Sequence, residues 1–274
     1  MRRRVSALVI IGVMVMILAT ACGKKETGEG GTFKVGLEAA YPPFNWTQIE
    51  NSNGAVPIDG EKEFAGGYDV EIAKQIAEGL GKELVIVKTD WDGLLPALVS
   101  GKIDAIIAGM SPTAERKESI DFSANYYESD LVMVVQKGGA YEKATKLSDF
   151  AGAKITAQLN TFHYTVIEQI EGVNMQTAMN DFTAMRVALE SGAIDGYVSE
   201  RPEGVSATAA NDKFAMVVFE EGFETSPDDT AIAVGLRKDS ELTDDINKIL
   251  AGISADERIK LMDEAIENQP SSED

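Results

Sequence analysis

The chain has very little of the two residues on which most small metal and thiol centres are built: one cysteine, Cys22, and one histidine, His163, in 274 residues. A disulfide framework needs two cysteines, and thiolate zinc sites and HExxH helices need more ligands than this chain holds, so all three are excluded. A Ser-His-Asp triad would have to use His163, and no GxSxG motif accompanies it. Positive charge is scarce as well. With 25 Lys and Arg against 45 Asp and Glu the formal charge is −20, which repels phosphate backbones and leaves no basic footprint for nucleic acid. Only 8 residues are proline while 44% are apolar, the composition of a packed globular protein. The length suits two domains or one large one.

What is present begins with a leader. Arg2, Arg3 and Arg4 precede a charge-free apolar run from Val5 to Leu18, and Ala19-Thr20-Ala21 supplies small residues before Cys22. The run is short for a membrane span. A small-residue stretch ending in the sole cysteine resembles a bacterial lipoprotein signal over 1–21, in which Cys22 becomes the lipidated first residue. The usual leucine three places before that cysteine is replaced by Ala19, with Leu18 one place further back, and an ordinary secretory signal is the alternative. GKKETGEGG then reads as a flexible tether over 22–31, so folding is expected to begin near Thr32. Losing the three arginines takes the charge from −20 to −23.

The remainder alternates strand and helix. In FKVGLEA, Phe33, Val35 and Leu37 fall on one face, as a strand requires. DVEIAKQIAEGLG reads as a helix with Asp69 as N-cap, Ile72, Ile76 and Leu80 on one stripe and Gly81 as its stop. Leu84 to Thr89 is a β-branched strand, Asp92 to Ser100 a helix ended by Gly101, and Ile103 to Ala108 another strand. That series is the signature of a parallel sheet covered by helices.

The pattern then repeats. DWDGLLPALVSGKIDA at 90–105 aligns without gaps to DFTAMRVALESGAIDG at 181–196, with Asp90/Asp181, Ala97/Ala188, Leu98/Leu189, Ser100/Ser191, Gly101/Gly192, Ile103/Ile194 and Asp104/Asp195 identical. A shared helix-stop glycine feeding a shared strand argues for two α/β lobes with a similar unit in each. Such lobes make a cleft, because ligands of these sheets bind outside the carboxyl ends of the strands. The residues just after the strands are therefore the ones to read. After Ala108 comes GMSPTAERKESIDFS, where Ser111 and Thr113 offer hydroxyls at a helix start and Arg116 follows three residues after Thr113. A guanidinium fork with hydroxyl and amide donors is a carboxylate receptor. A capping threonine and an exposed arginine fit the same spacing.

From about 32 to 265 the chain resembles the polar amino-acid family of solute-binding proteins, the ligand-capturing subunits of ABC importers. The resemblance is carried by AAYPPFNW (39–46), GGYDVEIAKQIAEGLG (66–81), WDGLLPALVSGKIDAIIAGMSPTAERKESIDFSANYY (91–127) and AVGLRKDSEL (233–242). It implies an α/β, two-lobed periplasmic-binding-protein fold (type II), each lobe a mainly parallel sheet with flanking helices, joined by two hinge strands. The implied division is lobe 1 at 32–128 and 230–268, lobe 2 at 129–229, and a polar tail at 269–274. For the site it implies a ligand carboxylate held by Arg116, Ser111 and Thr113 beside Gly109. Glu200 stands where the family has its ammonium-binding Asp, one methylene longer. Asn160-Thr161 replaces a Gly-Thr or Gly-Ser turn, with Asn able to take the left-handed conformation and Thr161 adding a bond to the carboxylate. Gln158 precedes that turn in the same wall. Tyr41 and Trp91 are the expected aromatic walls for the ligand side chain, Glu38 its side-chain-reading acid, Phe44 and Trp46 support, and His163 a helix-start residue. The loop 47–65 is longer than the family's and has no assigned role.

With Arg116 at +1 and Glu200 and Glu38 at −1 each, the site carries −1, which a zwitterion with a cationic side chain balances; glutamate would bury a like-charge pair. Arginine or lysine is therefore the expected ligand, with glutamine or another neutral polar amino acid as the alternative. Secreted dehydratases and receptor-sensing domains share the fold, but a general acid in the cleft would have to be Glu38 or Glu200, both already given binding roles, and no second hydrophobic span follows. The expectation is a monomeric, non-enzymatic binder without metal or cofactor, lipid-anchored at the outer face of the cytoplasmic membrane. It would meet an amino acid and the permease and ATPase subunits of an importer.

Overall fold

The strand Thr32–Leu37 is the centre from which the first lobe is built: Phe33, Val35 and Leu37, all on one face, are fully buried, while Thr32 and Lys34 on the other are exposed. It pairs in parallel with Glu83–Lys88 on one side and with the two-residue strand Ala105–Ile106 on the other. Beyond Ala105–Ile106, Ala231–Leu236 and then Asp121–Glu128 complete a five-stranded sheet through antiparallel pairings. The computed structural model describes residues 30–270, so the leader, Cys22 and nearly all of the tether lie outside the described residues.

The second lobe repeats this order. Lys154–Thr156 lies between Asn174–Met175 and Gly196–Glu200, both parallel, and Leu131–Gln136 and Phe214–Val217 follow in antiparallel pairings. The internal repeat has a direct structural counterpart. Asp104 accepts from the Lys34 N–H at 2.9 Å and Asp195 accepts from the Lys154 N–H at 2.8 Å, each tying its lobe's third strand to the start of the first. Gly101 and Gly192, with φ of +78° and +75°, end the preceding helices Trp91–Val99 and Phe182–Glu190 in the left-handed conformation. The Asp181 carboxylate caps its helix by accepting from the Ala184 N–H at 2.7 Å, whereas the side chain of Asp90 makes no capping bond.

The chain passes from the first sheet to the second between Glu128 and Leu131 and returns between Val217 and Ala231. The two crossings touch: the Ser129 N–H donates to the Thr230 carbonyl at 3.0 Å. The Arg201 guanidinium grips Asp130 in the first crossing, with Nε donating at 2.6 Å. The core of the first lobe continues into the second through Phe182, Met185, Leu189 and Tyr197, while Met133, Val135, Phe150, Ile155 and Val198 form a separate cluster inside lobe 2.

Several expectations shift. The helix expected from Asp69 runs Tyr68–Gly79, and its N-cap is Gly67 at φ 119°, where a Cβ would meet the Phe44 carbonyl at 2.4 Å. Asp69 is not the cap; it lies inside the first turn, fully buried, and its carboxylate accepts from Asn45 at 2.8 Å and Tyr126 at 2.7 Å. The strand expected over 103–108 is regular only at Ala105–Ile106. Gln269, placed by sequence in the polar tail, docks on lobe 2, donating to the Ser206 carbonyl at 3.2 Å. The 47–65 loop also gains a role. Its strands join a four-stranded sheet, Ile58 bridges Ile86, and the Asp59 N–H donates to the Ile86 carbonyl at 2.9 Å, covering the outer edge of Glu83–Lys88.

Candidate functional site

The predicted residues stand at or after the carboxyl ends of strands in both lobes, where the two lobes face one another. Glu38 follows Thr32–Leu37 and is buried; its Oε2 accepts from Gln158 Nε2 of the other lobe at 2.9 Å, and its Oε1 has no partner. Burial pushes this carboxyl up to about 8, against the Gln158 bond and with help from Asp181, Asp69 and Asp90. Glu200, fully buried, ends the strand Gly196–Glu200 and accepts a hydrogen bond from the Tyr41 hydroxyl across the cleft.

Arg116 sits in the short helix Ala114–Ser119, capped by the Thr113 hydroxyl, which accepts from the Arg116 N–H at 3.4 Å. Its guanidinium donates to the Ser111 carbonyl at 2.9 Å and, across the cleft, to the Asn160 carbonyl at 3.3 Å. No carboxylate of the described residues pairs with it. Burial draws its pKa down to about 10, so it stays charged at neutral pH. A charged fork held by two neutral carbonyls retains its capacity for an anion. Ser111 is buried beside it, and Thr113 is both helix cap and lining of a groove of about 860 Å³ that also touches Trp91, Met110, Arg116, Thr161 and Phe162.

On the facing wall Asn160 adopts the left-handed conformation, φ +55°, which asparagine is expected to tolerate in place of glycine. Its side chain donates to Asp92 at 2.8 Å, a further bond between lobes. The Thr161 hydroxyl donates to the Gln158 carbonyl at 2.7 Å, so its proton is committed within the turn while the oxygen keeps accepting capacity. Gln158 also donates to the Asn180 carbonyl at 3.0 Å.

The aromatic walls depart from expectation. Tyr41 stacks on Phe182 at 4.1 Å between ring centres and 12° between planes, so one face of its ring is covered by lobe 2. Trp91 carries the Arg116 guanidinium 5.1 Å over its ring and donates to the Asn160 carbonyl at 3.4 Å. In both cases the ring is engaged by the protein's own groups. Sequence reasoning named Tyr41 but missed Phe182, although the repeat aligns Phe182 with Trp91 and marks an aromatic at that position in each lobe. Phe44 is support, packed at 4.8 Å from Tyr41 and edge-on to Tyr68 and Tyr127. Gly109, φ +60°, must be glycine: a Cβ would stand 2.7 Å from the Tyr41 ring. Its N–H donates to Tyr126 Oη at 3.3 Å, and Tyr126 in turn donates to Asp69, so a buried chain of polar groups holds this turn from behind. Burial raises Asp69 to about 7, opposed by the bonds from Tyr126 and Asn45.

His163 occupies the first turn of Phe162–Thr165, the helix start the sequence assigns, but it is buried in the cleft with Nε2 3.7 Å from Glu200 Oε1. Its solitary occurrence gave no pattern from which that could be read. Among the described residues no group of three or more His, Cys, Asp or Glu could hold a metal ion.

Two repeated lobes are joined by paired crossings, and residues 33–265 match the family described as bacterial extracellular solute-binding proteins, family 3. The chain belongs to that family. Among its relatives, the arginine-binding extracellular protein ArtP of Bacillus subtilis (strain 168) is 28% identical over 253 residues, covering 89% of this chain and 90% of that protein. The L-cystine-binding protein TcyJ of Escherichia coli (strain K12) is 30% identical over 267 residues, covering 93% of each. In structure, the amino acid ABC transporter substrate-binding protein from Streptococcus pneumoniae Canada MDR_19A bound to L-arginine superposes with a TM-score of 0.76 at 29% identity, covering 87% of this chain and 94% of that one. The two-lobed α/β architecture is the family's.

Proposed function

We propose that this protein captures a basic amino acid, arginine or lysine, outside the cytoplasm and delivers it to the permease of an ABC importer. The supporting observation is that three charged groups lie where the lobes meet: Glu38 and Glu200 are buried and bonded across the lobes to Gln158 and Tyr41, and Arg116, which interacts electrostatically with Glu200, lines a groove with Thr113 and Thr161. Arg116 takes the ligand carboxylate, Glu200 its ammonium and Glu38 the cationic end of its side chain. Fully ionised, those three groups sum to −1, and an arginine or lysine zwitterion supplies the +1 that closes the account. A relative named for arginine binding and a structural neighbour bound to L-arginine fit this choice. One observation favours a second reading, a neutral amide side chain such as glutamine's: Glu38 already accepts an amide N–H from Gln158, and its raised pKa keeps it protonated at neutral pH.

The same reading covers the cell biology. A lipid on Cys22 and the tether of 22–31 hold a monomer at the outer face of the cytoplasmic membrane, where it docks on permease and ATPase subunits. Binding without turnover is the chemistry such a site performs, so ligand should be recovered unchanged after long incubation. A thermal-shift panel of the twenty amino acids tests the ligand class: arginine or lysine should stabilise most, because ligand at 100 times its dissociation constant adds about 2.7 kcal/mol. Stabilisation by glutamine alone would replace the basic reading with the neutral one.

A further inference from the structure

His163 and Glu200 are a buried pair left incomplete by the protein itself. The imidazole lies in the turn that opens Phe162–Thr165, the carboxylate at the end of Gly196–Glu200, and Nε2 stands 3.7 Å from Oε1. His163 is 6% exposed and Glu200 is 0% exposed. Neither ring nitrogen has a hydrogen-bond partner, nor does the Oε1 that faces Nε2. The other buried glutamate of this lobe is treated differently. Glu203 is neutralised by Arg186 at 2.9 Å and accepts from the Tyr197 hydroxyl at 2.9 Å. Unpartnered polar groups carry the full cost of leaving water, so an unpartnered Nε2 facing an unpartnered Oε1 marks a place where an exchangeable partner arrives.

Resting on the reading of the cleft as an amino-acid site, we infer that His163 shares Glu200 with the α-ammonium group of the ligand: a neutral imidazole leaves the carboxylate to the ammonium, and an imidazolium takes it. The surroundings leave Oε1 to these two cations. Tyr41 donates to the opposite oxygen, Oε2. Arg116, Asp69 and Tyr127 interact with Glu200 electrostatically, Glu38 is bonded to Gln158, and the Phe162 ring packs on the imidazole at 4.3 Å between centres.

Imidazole changes charge between about pH 5 and 8. On the alkaline side the ligand ammonium meets no competing cation at Oε1, because Arg116 acts on Glu200 only electrostatically. On the acid side an imidazolium occupies that role, and a second cation entering the same desolvated corner meets like charge. Affinity for any α-amino acid therefore falls as the pH falls, whatever its side chain, and by reciprocity a bound ligand drives the proton off His163. Acidification of the surroundings becomes a release signal acting on the common part of the ligand. Glu38 also favours cationic side chains at higher pH, but through the variable part, so the two contributions separate by mutation.

Because the chain has a single histidine, its imidazole gives one set of NMR signals that needs no assignment. The titration midpoint should fall by about half a pH unit or more both in ligand-free Glu200→Gln and in arginine-saturated wild type, relative to the free wild type. In calorimetry between pH 8 and pH 5.5, wild type should lose about tenfold more arginine affinity than His163→Gln, in which Glu38 is unchanged. A folded Glu200→Gln with an unmoved midpoint overturns the pairing, and parallel pH profiles for wild type and His163→Gln overturn the sharing of Glu200. If Glu200→Gln fails to fold, the His163→Gln profile decides. Should no amino acid bind at pH 8, the functional reading fails, while the ligand-free NMR comparison still decides whether the two residues are coupled.

Discussion

Replacing Glu38 by Gln separates charge recognition from everything else in the cleft. In the ligand-free protein the Glu38 carboxyl is held at about 8, mainly by burial. At pH 7 it is then protonated in roughly nine molecules of ten. A guanidinium or ammonium that pairs with it must first expel that proton, at a cost of about 1.4 kcal/mol per pH unit between pH 7 and the carboxyl's own midpoint. Binding of arginine should therefore release about 0.9 proton at pH 7 through this residue. Its affinity should also climb close to tenfold per unit as the pH rises toward 8. Removing one member of a desolvated charge pair costs about 2 to 4 kcal/mol; deducting the proton cost leaves a net loss for Glu38→Gln of about 0.6 to 2.6 kcal/mol at pH 7, or roughly three- to 80-fold. Glutamine or citrulline should lose much less. Calorimetry in buffers of different ionisation enthalpy reads both quantities: the difference in released protons between wild type and Glu38→Gln isolates this carboxyl. An unchanged proton count in the mutant, or equal losses for cationic and neutral ligands, would refute the assignment.

Arg116→Ala should cost about 3 to 5 kcal/mol of ligand affinity, more than a hundredfold, because it strands the ligand carboxylate in a closed cleft; a calorimetric loss below tenfold in a well-folded mutant removes Arg116 from the site. Glu38 and Asp69 both have pKa values raised on folding, to about 8 and about 7, so above the ordinary carboxylate range the folded state holds more protons than the unfolded one. Ligand-free stability must then fall as the pH rises from about 4 through 8, and Asp69→Asn should flatten the part of the Tm slope below pH 7, which differential scanning calorimetry can follow. Cys22→Ala should free the protein into the medium or periplasm with ligand affinity intact; a variant that stays membrane-bound and uncleaved points to a signal anchor.

How much the sequence disclosed depended on the range of the interaction. The repeat of residues 90–105 at 181–196 is a local pattern, and its glycines, its capping aspartate at 181 and its Asp104 and Asp195 ties all have structural counterparts. For Ser111, Thr113 and Arg116, chemistry and spacing suggested a carboxylate receptor but fitted a capping threonine and an exposed arginine as well, so their assignment, like those of Glu38, Gln158 and Glu200, rested on resemblance, since no periodicity marks a lone acid or amide after a strand. Asp69 was misread because an aspartate before an apolar stripe has the same local pattern whether it caps the helix or lies buried in its first turn. Only the tertiary arrangement of Gly67, Phe44, Asn45 and Tyr126 distinguishes the two. The Tyr41–Phe182 stack, the edge covering by Ile58 and Asp59, and the Gln269–Ser206 dock join residues far apart in the chain, and no local rule encodes them.

The central claim is that the cleft is a receptor for an amino acid with a cationic side chain. Calorimetric titration of the purified protein with L-arginine and, separately, L-glutamate at pH 8 tests it most directly, since at that pH Glu38 is about half ionised before any ligand arrives. The expected result is saturable one-to-one binding of arginine and no measurable heat from glutamate. Binding of glutamate with equal or greater affinity, or the absence of one-to-one binding by either arginine or lysine, would contradict it.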